Sequence, residues 1–358
     1  MSLFALSKED SQVIKGLAIL LMIFHHFFGA YSIPRILIPE HDPFCAHIAG
    51  WGKACVCLFA FVTGYGLMSK LVRREELSIM RMTSPLFSFF GIYVFSFLLT
   101  TLMAWSFPSL VQLNIPSSPP HFVLSSLMIL PCYTDWWYAT VFLLLAGVCY
   151  PCLCLIRLWC PVKALLVASC ILAWLMHVFP HYAAACMIMV HVPQDFVVEV
   201  TKHFMLCSSF GMMFFIGGSY FFLTRREGGW RFKSAWLLVS AFTVSMMLLG
   251  MVACEYLWVA LGFLLITFLC RGLPRMRRCL IVLGRYSVWM WLNHRLIFGY
   301  WFAKDFYAMP EWIALPLIVG LSFIVAVGTD TIYSRLVEGL NGVRKLRKED
   351  CALEKIPS

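Results

Sequence analysis

The chain has 358 residues, of which 61% are hydrophobic and only 13% are charged, and its formal net charge is +10. A soluble domain carries about 25% charged residues, so this composition excludes a soluble protein and predicts an all-α protein that crosses a membrane many times. The basic balance needs no nucleic-acid partner, because positive charge on cytoplasmic loops explains most of it.

Hydropathy predicts about ten transmembrane helices of the length that a bilayer requires. The first apolar run is interpreted as a retained helix rather than a signal peptide, because no small-residue cleavage site follows it. The predicted spans are 12–31, 46–68, 83–107, 136–156, 162–180, 203–223, 233–250, 253–270, 279–300 and 311–334. The segment 120–132 is apolar but too short to span, so we expect a re-entrant or interfacial segment on the outer side.

The basic residues test this count independently. With ten spans, 22 of the 28 Lys and Arg residues fall on one side, and the opposite loops hold only Arg35, Lys202 and Lys304. Because cytoplasmic loops attract Lys and Arg, both termini are predicted to be cytoplasmic. We expect one transmembrane domain over residues 1–334 and a basic cytoplasmic tail over residues 335–358 that is able to contact anionic lipid.

The 15 cysteines are typical of apolar packing rather than of a metal or redox framework, since most fall inside predicted spans. No Cys–His quartet has a zinc-binding spacing, so no metal site is expected. Three cysteines predicted on the outer side leave a disulfide open, because nothing in the sequence fixes a pairing. These are Cys45, Cys132 and Cys186.

The first predicted helix contains the stretch KGLAILLMIFHH, from Lys15 to His26. Eleven steps of about 100° make about three turns, so Lys15 and His26 share one helix face about 16 Å apart along the axis. His25 points about 100° away. An ionisable group at membrane depth costs at least about 2.5–3.5 kcal/mol, so it normally faces a cavity or a partner. His26 is either a base in a polar passage or a structural histidine held in a helix interface.

A second polar stripe lies on a late predicted helix. Gly284, Ser287, Trp291 and His294 fall at i, i+3, i+7 and i+10, on one helix face. Small and polar residues on one stripe of an apolar helix indicate either close helix packing or a lined cavity. His294 is thus a second catalytic candidate, or a group that orients a neighbour.

Three stretches together resemble signatures of the acyltransferase 3 family, which are bacterial membrane O-acyltransferases. They are Lys15 to His26, FAFVTGYGL at 59–67, and LGRYSVWMWLNHRLI at 283–297, and their order and approximate spacing match over nearly the whole chain. The resemblance implies a multi-pass enzyme of the bacterial plasma membrane. Such an enzyme moves an acyl group, expected to be acetyl, from acyl-coenzyme A to a hydroxyl of a cell-envelope or exported carbohydrate. Acyl-coenzyme A is then a co-substrate, and no cofactor is permanently bound.

The resemblance also assigns residue roles. His26 takes the position of the family's essential histidine, and an imidazole suits a reaction in which an alcohol loses its proton as it attacks a thioester. His294 matches a recurrent family histidine. Lys15 matches a family Arg or Lys at the cytoplasmic end, although an interfacial anchor explains it nearly as well. Thr63 and Tyr65 resemble a Ser-Gly-aromatic element in which Thr keeps the hydroxyl.

Other candidate binding residues lie in the second span, on the late helix and in the loop after the second span. Lys53 lies within the second predicted span and is expected to face the same passage, as is Ser287 on the late helix. The family's two arginines three positions apart, commonly linked with the acyl donor, have no full counterpart, because Arg81 is not followed by a second arginine at that spacing. Arg73 and Arg74 are expected to substitute. A divergent or inactive member stays an open alternative.

Residues 135–138 and the overall function each have two interpretations from the sequence. The sequence Asp135-Trp136-Trp137-Tyr138 resembles the family's Trp-rich start of a middle helix, but an outer aromatic belt has the same pattern and is the favoured interpretation. A transporter or flippase for a sugar or lipid-linked intermediate is the alternative function, because intramembrane His and Lys also suit a proton relay. The lack of detectable inverted repeats and of paired acidic residues within spans argues against transport.

Overall fold

A computed structural model gives the fold of residues 5–28, 49–73, 79–106, 119–128, 136–159, 213–221 and 254–353, with short pieces between 164 and 171 and at 224. This described part is 94% helical and contains no strand, which confirms the all-α fold. Its helices are α1 (Lys8–Phe28), α2 (Ala54–Arg73), α3 (Ile79–Ser106), α4 (Pro119–Ser126), α5 (Trp137–Leu144), α6 (Tyr150–Trp159), α7 (Cys254–Leu269), α8 (Pro274–Arg295), α9 (Ala303–Ala308) and α10 (Glu311–Leu353).

Five segments of the described chain are long and apolar enough to cross a membrane. They are Lys8–Phe28, Ala49–Val72, Thr83–Ser106, Trp137–Trp159 and Glu311–Gly339, and they match predicted spans one to four and ten. Helices α7 and α8 occupy predicted spans eight and nine, while most of spans five to seven lies outside the described residues. The number ten and the cytoplasmic termini therefore stay predictions.

The segment at 119–126 and the start of the predicted tail are both helical. The short apolar segment near 120–132 forms the eight-residue helix α4, too short to span a bilayer. Helix α10 passes residue 334 without a break and continues to Leu353, so no helix end marks the predicted start of the tail.

Helix α1 begins with a reciprocal cap. The Ser7 hydroxyl accepts the Asp10 backbone N–H at 3.0 Å, and the Asp10 carboxylate accepts the Ser7 backbone N–H at 3.0 Å. This is the geometry of a capping box, with Asp in place of the usual Glu. The same carboxylate is buried and pairs with Arg271 at 2.7 Å, just before α8 begins. The start of α1 is thereby fixed beside the start of α8.

Glycines then bring α1 and α8 into backbone contact. A Cβ on Gly16 would collide with the Leu280 carbonyl, and a Cβ on Gly284 would collide with the Gln12 carbonyl. The Asp10–Arg271 pair at the starts of the two helices and the hydrogen bond between His26 and His294 near their ends show that α1 and α8 run parallel. The glycines lie between these two points and let the helices cross at close range.

Helix α2 runs antiparallel to α1. The Tyr65 hydroxyl, near the end of α2, donates to the Leu6 carbonyl at 3.1 Å before α1 starts. At the other end, the chain entering α2 reaches the end of α1, where His25 contacts the Ala49 carbonyl. Helices α3 and α5 complete the wall around the space between α1, α2 and α8.

Candidate functional site

Two histidines from opposite ends of the sequence meet between α1 and α8. The Nδ1 atom of His26 lies 2.7 Å from the Nε2 atom of His294, and the two ring planes are within 8° of parallel with centroids 5.0 Å apart. His294 is fully buried, whereas His26 keeps part of its surface accessible. The structure therefore brings together the two residues predicted to be catalytic.

Backbone carbonyls fix the proton positions of this pair. The His294 Nδ1 atom lies 2.7 Å from the Trp291 carbonyl oxygen and 3.2 Å from that of Met290, and carbonyls only accept hydrogen bonds. Nδ1 of His294 must therefore carry a proton, which leaves its Nε2 as the acceptor in the neutral ring. His26 then donates from Nδ1, and the basic lone pair of neutral His26 is on Nε2.

His25 has a different role from its neighbour. Its Nδ1–H donates to the Ala49 carbonyl at 2.6 Å, and a Cβ on Gly52 would lie 2.6 Å from the His25 Cβ. His25 is thus a buried side chain that connects the end of α1 to the turn entering α2. The prediction that the two adjacent histidines face different surroundings agrees with these contacts.

A cavity of about 340 Å³ lies on the Lys15 side of the histidine pair. Its walls come from α1, α2, α3, α5 and α8. It is lined by Lys15, Phe59, Thr63, Lys70, Ser84, Pro85, Ser88, Phe89, Ile92, Tyr138, Phe142, Ser287, Val288 and Trp291. On α8, His294 follows the lining residue Trp291 by one turn and donates to its carbonyl, so the histidine pair lies one helical turn beyond the cavity wall.

The cavity has a cationic part and an aromatic part. Lys15 and Lys70 both line it, and their ammonium groups lie close enough for their charges to repel each other. None of the lining residues in the described part of the chain is acidic. Nearer the histidines, the Trp291 ring is stacked on Phe89 and meets Tyr138 edge-on, with centroids 6.2 and 5.7 Å apart.

Three of the predicted binding residues line this cavity, and two do not. Lys15, Thr63 and Ser287 contribute to its wall. Tyr65 instead packs against Phe221, and its hydroxyl bonds the Leu6 carbonyl. Lys53 lies in the turn before α2, away from the lining residues. The side chains of Arg73, Arg74 and Arg81 lie outside the described part of the chain.

The glycines of the resembling stretches serve helix packing. A Cβ on Gly64 would collide with the Phe214 backbone, and a Cβ on Gly217 would collide with the Phe61 backbone. Gly284 has the same function between α8 and α1. By contrast, nothing lies within 4 Å of a Cβ placed on Gly66. Of the two explanations for the late-helix stripe, packing applies to Gly284 and cavity lining to Ser287 and Trp291.

Several residues inside the bundle could not be placed correctly from the sequence alone. An aromatic belt was the favoured interpretation of residues 135–138, and it is wrong for Trp136 and Tyr138, which are 3% and 6% exposed inside the bundle. The Trp136 indole N–H donates to the Leu292 carbonyl at 3.2 Å. From the sequence, Lys70 is only one of the 22 basic residues on the predicted cytoplasmic side. Ser84 and Ser88, which lie near Pro85 within the continuous helix α3, have no pattern in the sequence that marks them as lining residues.

Comparison with protein families decides the class of the protein. A family model described as an acyltransferase domain, acyltransferase 3, matches residues 9–331. The chain belongs to the acyltransferase 3 family. A search of curated proteins and a search of solved structures each found no match. As an acyltransferase 3 member with several apolar helices of transmembrane length, the protein is a membrane acyltransferase. The matched region contains both histidines and the whole cavity.

Proposed function

We propose that this acyltransferase moves a short acyl group, expected to be acetyl, from acyl-coenzyme A to a hydroxyl of a cell-envelope or exported carbohydrate. The observation that carries the proposal is the hydrogen bond between His26 and His294, one helical turn beyond a cavity lined by Lys15 and Lys70. The proposed setting is the bacterial plasma membrane, with donor entering from the cytoplasm and acceptor reaching the histidines from the other side or from within the membrane. The predicted charge asymmetry of the loops supports this orientation.

His26 is the proposed general base. Its Nε2 takes the proton of the acceptor hydroxyl as that oxygen attacks the thioester carbonyl carbon. The new C–O bond forms, the C–S bond breaks, and the coenzyme A thiolate leaves and takes up the proton from His26. No covalent acyl-enzyme is required by this sequence of steps.

His294 is the proposed positioning residue. Its Nδ1–H is held by two backbone carbonyls, which keeps its Nε2 available to accept from His26. The bond fixes the His26 ring in one tautomer and strengthens when His26 becomes an imidazolium, because a charge-assisted hydrogen bond is about twice as strong as a neutral one. A base oriented by a third group is the arrangement found in many nucleophilic enzymes.

The cationic part of the cavity supports an anionic donor. Two ammonium groups that share one cavity, with no acidic side chain among its described lining residues, gain free energy from a bound anion. The phosphate groups of coenzyme A provide that charge, and its flexible arm can extend from the lysines toward His26. Lys15 and Lys70 are the residues proposed for this contact, alongside the loop arginines Arg73, Arg74 and Arg81.

The function is tested by mass spectrometry of cell-surface glycans from three strains. One carries the wild-type gene, one lacks it, and one carries His26→Ala at an equal protein level. We expect glycans heavier by one acyl group only in the wild-type strain. A flippase would instead change the amount of a glycan at the surface without changing its mass, and that result would replace acyl transfer by transport.

A further inference from the structure

Two serines of α3 lie in the cationic part of the cavity with Lys15 and Lys70. The Tyr65 hydroxyl binds the chain just before α1, which places the end of α2, and Lys70 with it, beside the start of that helix. Helix α3 begins a few residues after α2 ends, so its start lies on the same side. Ser84 lies in the second turn of α3 and Ser88 one turn further, and both line the cavity.

These two serines differ from the other serine and threonine of the described cavity wall. Thr63 and Ser287 each donate to a backbone carbonyl of their own helix, at 2.8 and 2.9 Å. Within the described part of the chain no hydrogen bond occupies the hydroxyl of Ser84 or Ser88, and both residues are exposed. Ammonium groups and available hydroxyls together are suitable donors for an anion that has several acceptor oxygens, as a phosphate has.

The same face of α3 becomes apolar toward the histidines. Phe89 and Ile92 follow Ser88 in the cavity wall. The Phe89 ring is stacked on Trp291, which precedes His294 by one turn of α8. The cationic part with its two serines is therefore the end of the cavity that lies away from the histidine pair.

The distance to the histidine pair decides which phosphate of the donor fits this end. Lys15 and His26 lie about 16 Å apart along α1. The arm of coenzyme A has about 12 bonds between its sulfur and the nearest phosphate oxygen, which extend to about 14 Å because three backbone bonds span about 3.5 Å. With the thioester at His26, that phosphate lies within reach of the Lys15 side chain, and the 3′-phosphate of the ribose lies beyond it.

We propose that the cationic part of the cavity binds the phosphate that ends the phosphopantetheine arm, with hydrogen bonds from Ser84 and Ser88 and charge from the two lysines. The group recognised is then a phosphopantetheine thioester without its nucleotide. This inference rests on the proposed function, because it takes acyl-coenzyme A as the donor. A cavity of about 340 Å³ is near the lower limit of ligand pockets, which suits the arm and its phosphate better than the whole coenzyme.

Equilibrium binding to the full chain in detergent is measured with three probes. Acetyl-coenzyme A has the arm, the phosphate and the nucleotide, S-acetyl-4′-phosphopantetheine lacks the nucleotide, and S-acetylpantetheine lacks the phosphate as well. We expect the wild type to bind S-acetyl-4′-phosphopantetheine at least about 10-fold more tightly than S-acetylpantetheine, because hydrogen bonds to a charged group are about twice as strong as neutral ones.

Two changes remove parts of the proposed site. Lys70→Gln should weaken binding of both phosphate-bearing probes about 10- to 100-fold, and Ser84→Ala/Ser88→Ala about 3- to 30-fold, while the affinity for S-acetylpantetheine stays the same. Without ligand, Lys70→Gln should melt at or above the wild-type temperature, because it removes one of two charges that repel each other. Lys70→Gln/Ser84→Lys returns a cation to the same cavity from α3 and should regain most of the lost affinity.

Arg335→Gln and Ser96→Ala are the matched controls. Arg335 is an exposed cation of α10, and Ser96 is a buried serine of α3 two turns beyond Ser88. Neither lines the cavity, so all three affinities should be unchanged in both variants.

Three results would each overturn the inference and leave the coenzyme A donor in place. They are equal wild-type affinities for the two pantetheine probes, a Lys70→Gln variant that keeps the full preference for the phosphate, and no recovery of affinity on adding Ser84→Lys. A wild type that binds none of the three probes would instead remove coenzyme A as the donor, and the proposed function with it.

Discussion

Replacement of the three histidines one at a time tests the mechanism most directly. His26→Ala removes the proposed base and should lower turnover by about 10²- to 10⁴-fold. His294→Ala keeps the base but removes the acceptor of its Nδ1–H. The bond becomes charge-assisted when His26 is protonated, and such bonds contribute about 1.5–3 kcal/mol, so the expected loss is about 10- to 150-fold.

His25→Ala is the internal control, since it removes an imidazole from the next position of the same helix. It removes the 2.6 Å hydrogen bond to the Ala49 carbonyl, which still accepts the Gly52 N–H, and this loss should cost about 0.5–1.5 kcal/mol of stability. We expect a lower melting temperature with little change in turnover, the reverse of the signature of His26→Ala. The double variant His26→Ala/His294→Ala should be no slower than His26→Ala, because an orienting group has no effect once the base is gone.

These variants are assayed as the full-length protein in detergent, by following coenzyme A release from acetyl-coenzyme A in the presence of an extracted envelope glycan fraction. Thermal unfolding of each variant is measured in the same buffer. If His25→Ala loses as much turnover as His26→Ala, the separation of the two histidines is wrong. Additive effects of His26→Ala and His294→Ala would show that they act independently, which contradicts a hydrogen-bonded pair.

Three further predictions follow from particular contacts. Acetyl-coenzyme A should stabilise the purified protein by about 2.7 kcal/mol at 100 times its Kd, and by less in high salt. Lys70→Gln, and separately the joint neutralisation of Arg73, Arg74 and Arg81, should reduce this stabilisation in thermal-shift assays. No stabilisation by millimolar acyl-coenzyme A would favour a transporter. Gly64→Ala should destabilise by about 1–3 kcal/mol because its Cβ meets the Phe214 backbone, whereas Gly66→Ala should not, and equal melting temperatures would contradict the packing. Reporter fusions should place residue 228 in the cytoplasm and residue 190 outside, and finding both on one side would contradict ten spans.

The sequence could predict those features that depend only on residues close to one another in the chain. The spacing from Lys15 to His26 fixes a shared helix face, because the period of an α-helix is a property of neighbouring residues. The structure places Lys15 in the cavity wall and His26 against His294 on α8. The glycine at 284 was expected to serve either packing or a cavity, and only its contact with the Gln12 carbonyl distinguishes the two.

What the sequence could not predict depends on contacts between distant segments. The His26–His294 bond joins residues 268 positions apart, and it forms because the Asp10–Arg271 pair fixes the starts of α1 and α8 side by side and two glycines let the helices pack closely. Nothing in either helix alone encodes that register. Tyr138 was misread for a related reason, since a tyrosine at a membrane surface and one in a cavity wall have the same sequence surroundings.

The distribution of satisfied and unsatisfied polar groups separates scaffold from site in this bundle. Asp10, His25 and His294 are all buried, and each has partners within the protein, so they hold α1, α2 and α8 in place. The cavity between these helices holds the opposite kind of group: two lysines whose charges repel each other, with no acidic residue among the described residues of its lining. Because an apolar bundle does not stabilise two like charges, their free-energy cost is offset when a ligand brings an anion. A long thioester donor with phosphates at one end has that charge, and its thioester would lie at His26, the proposed base.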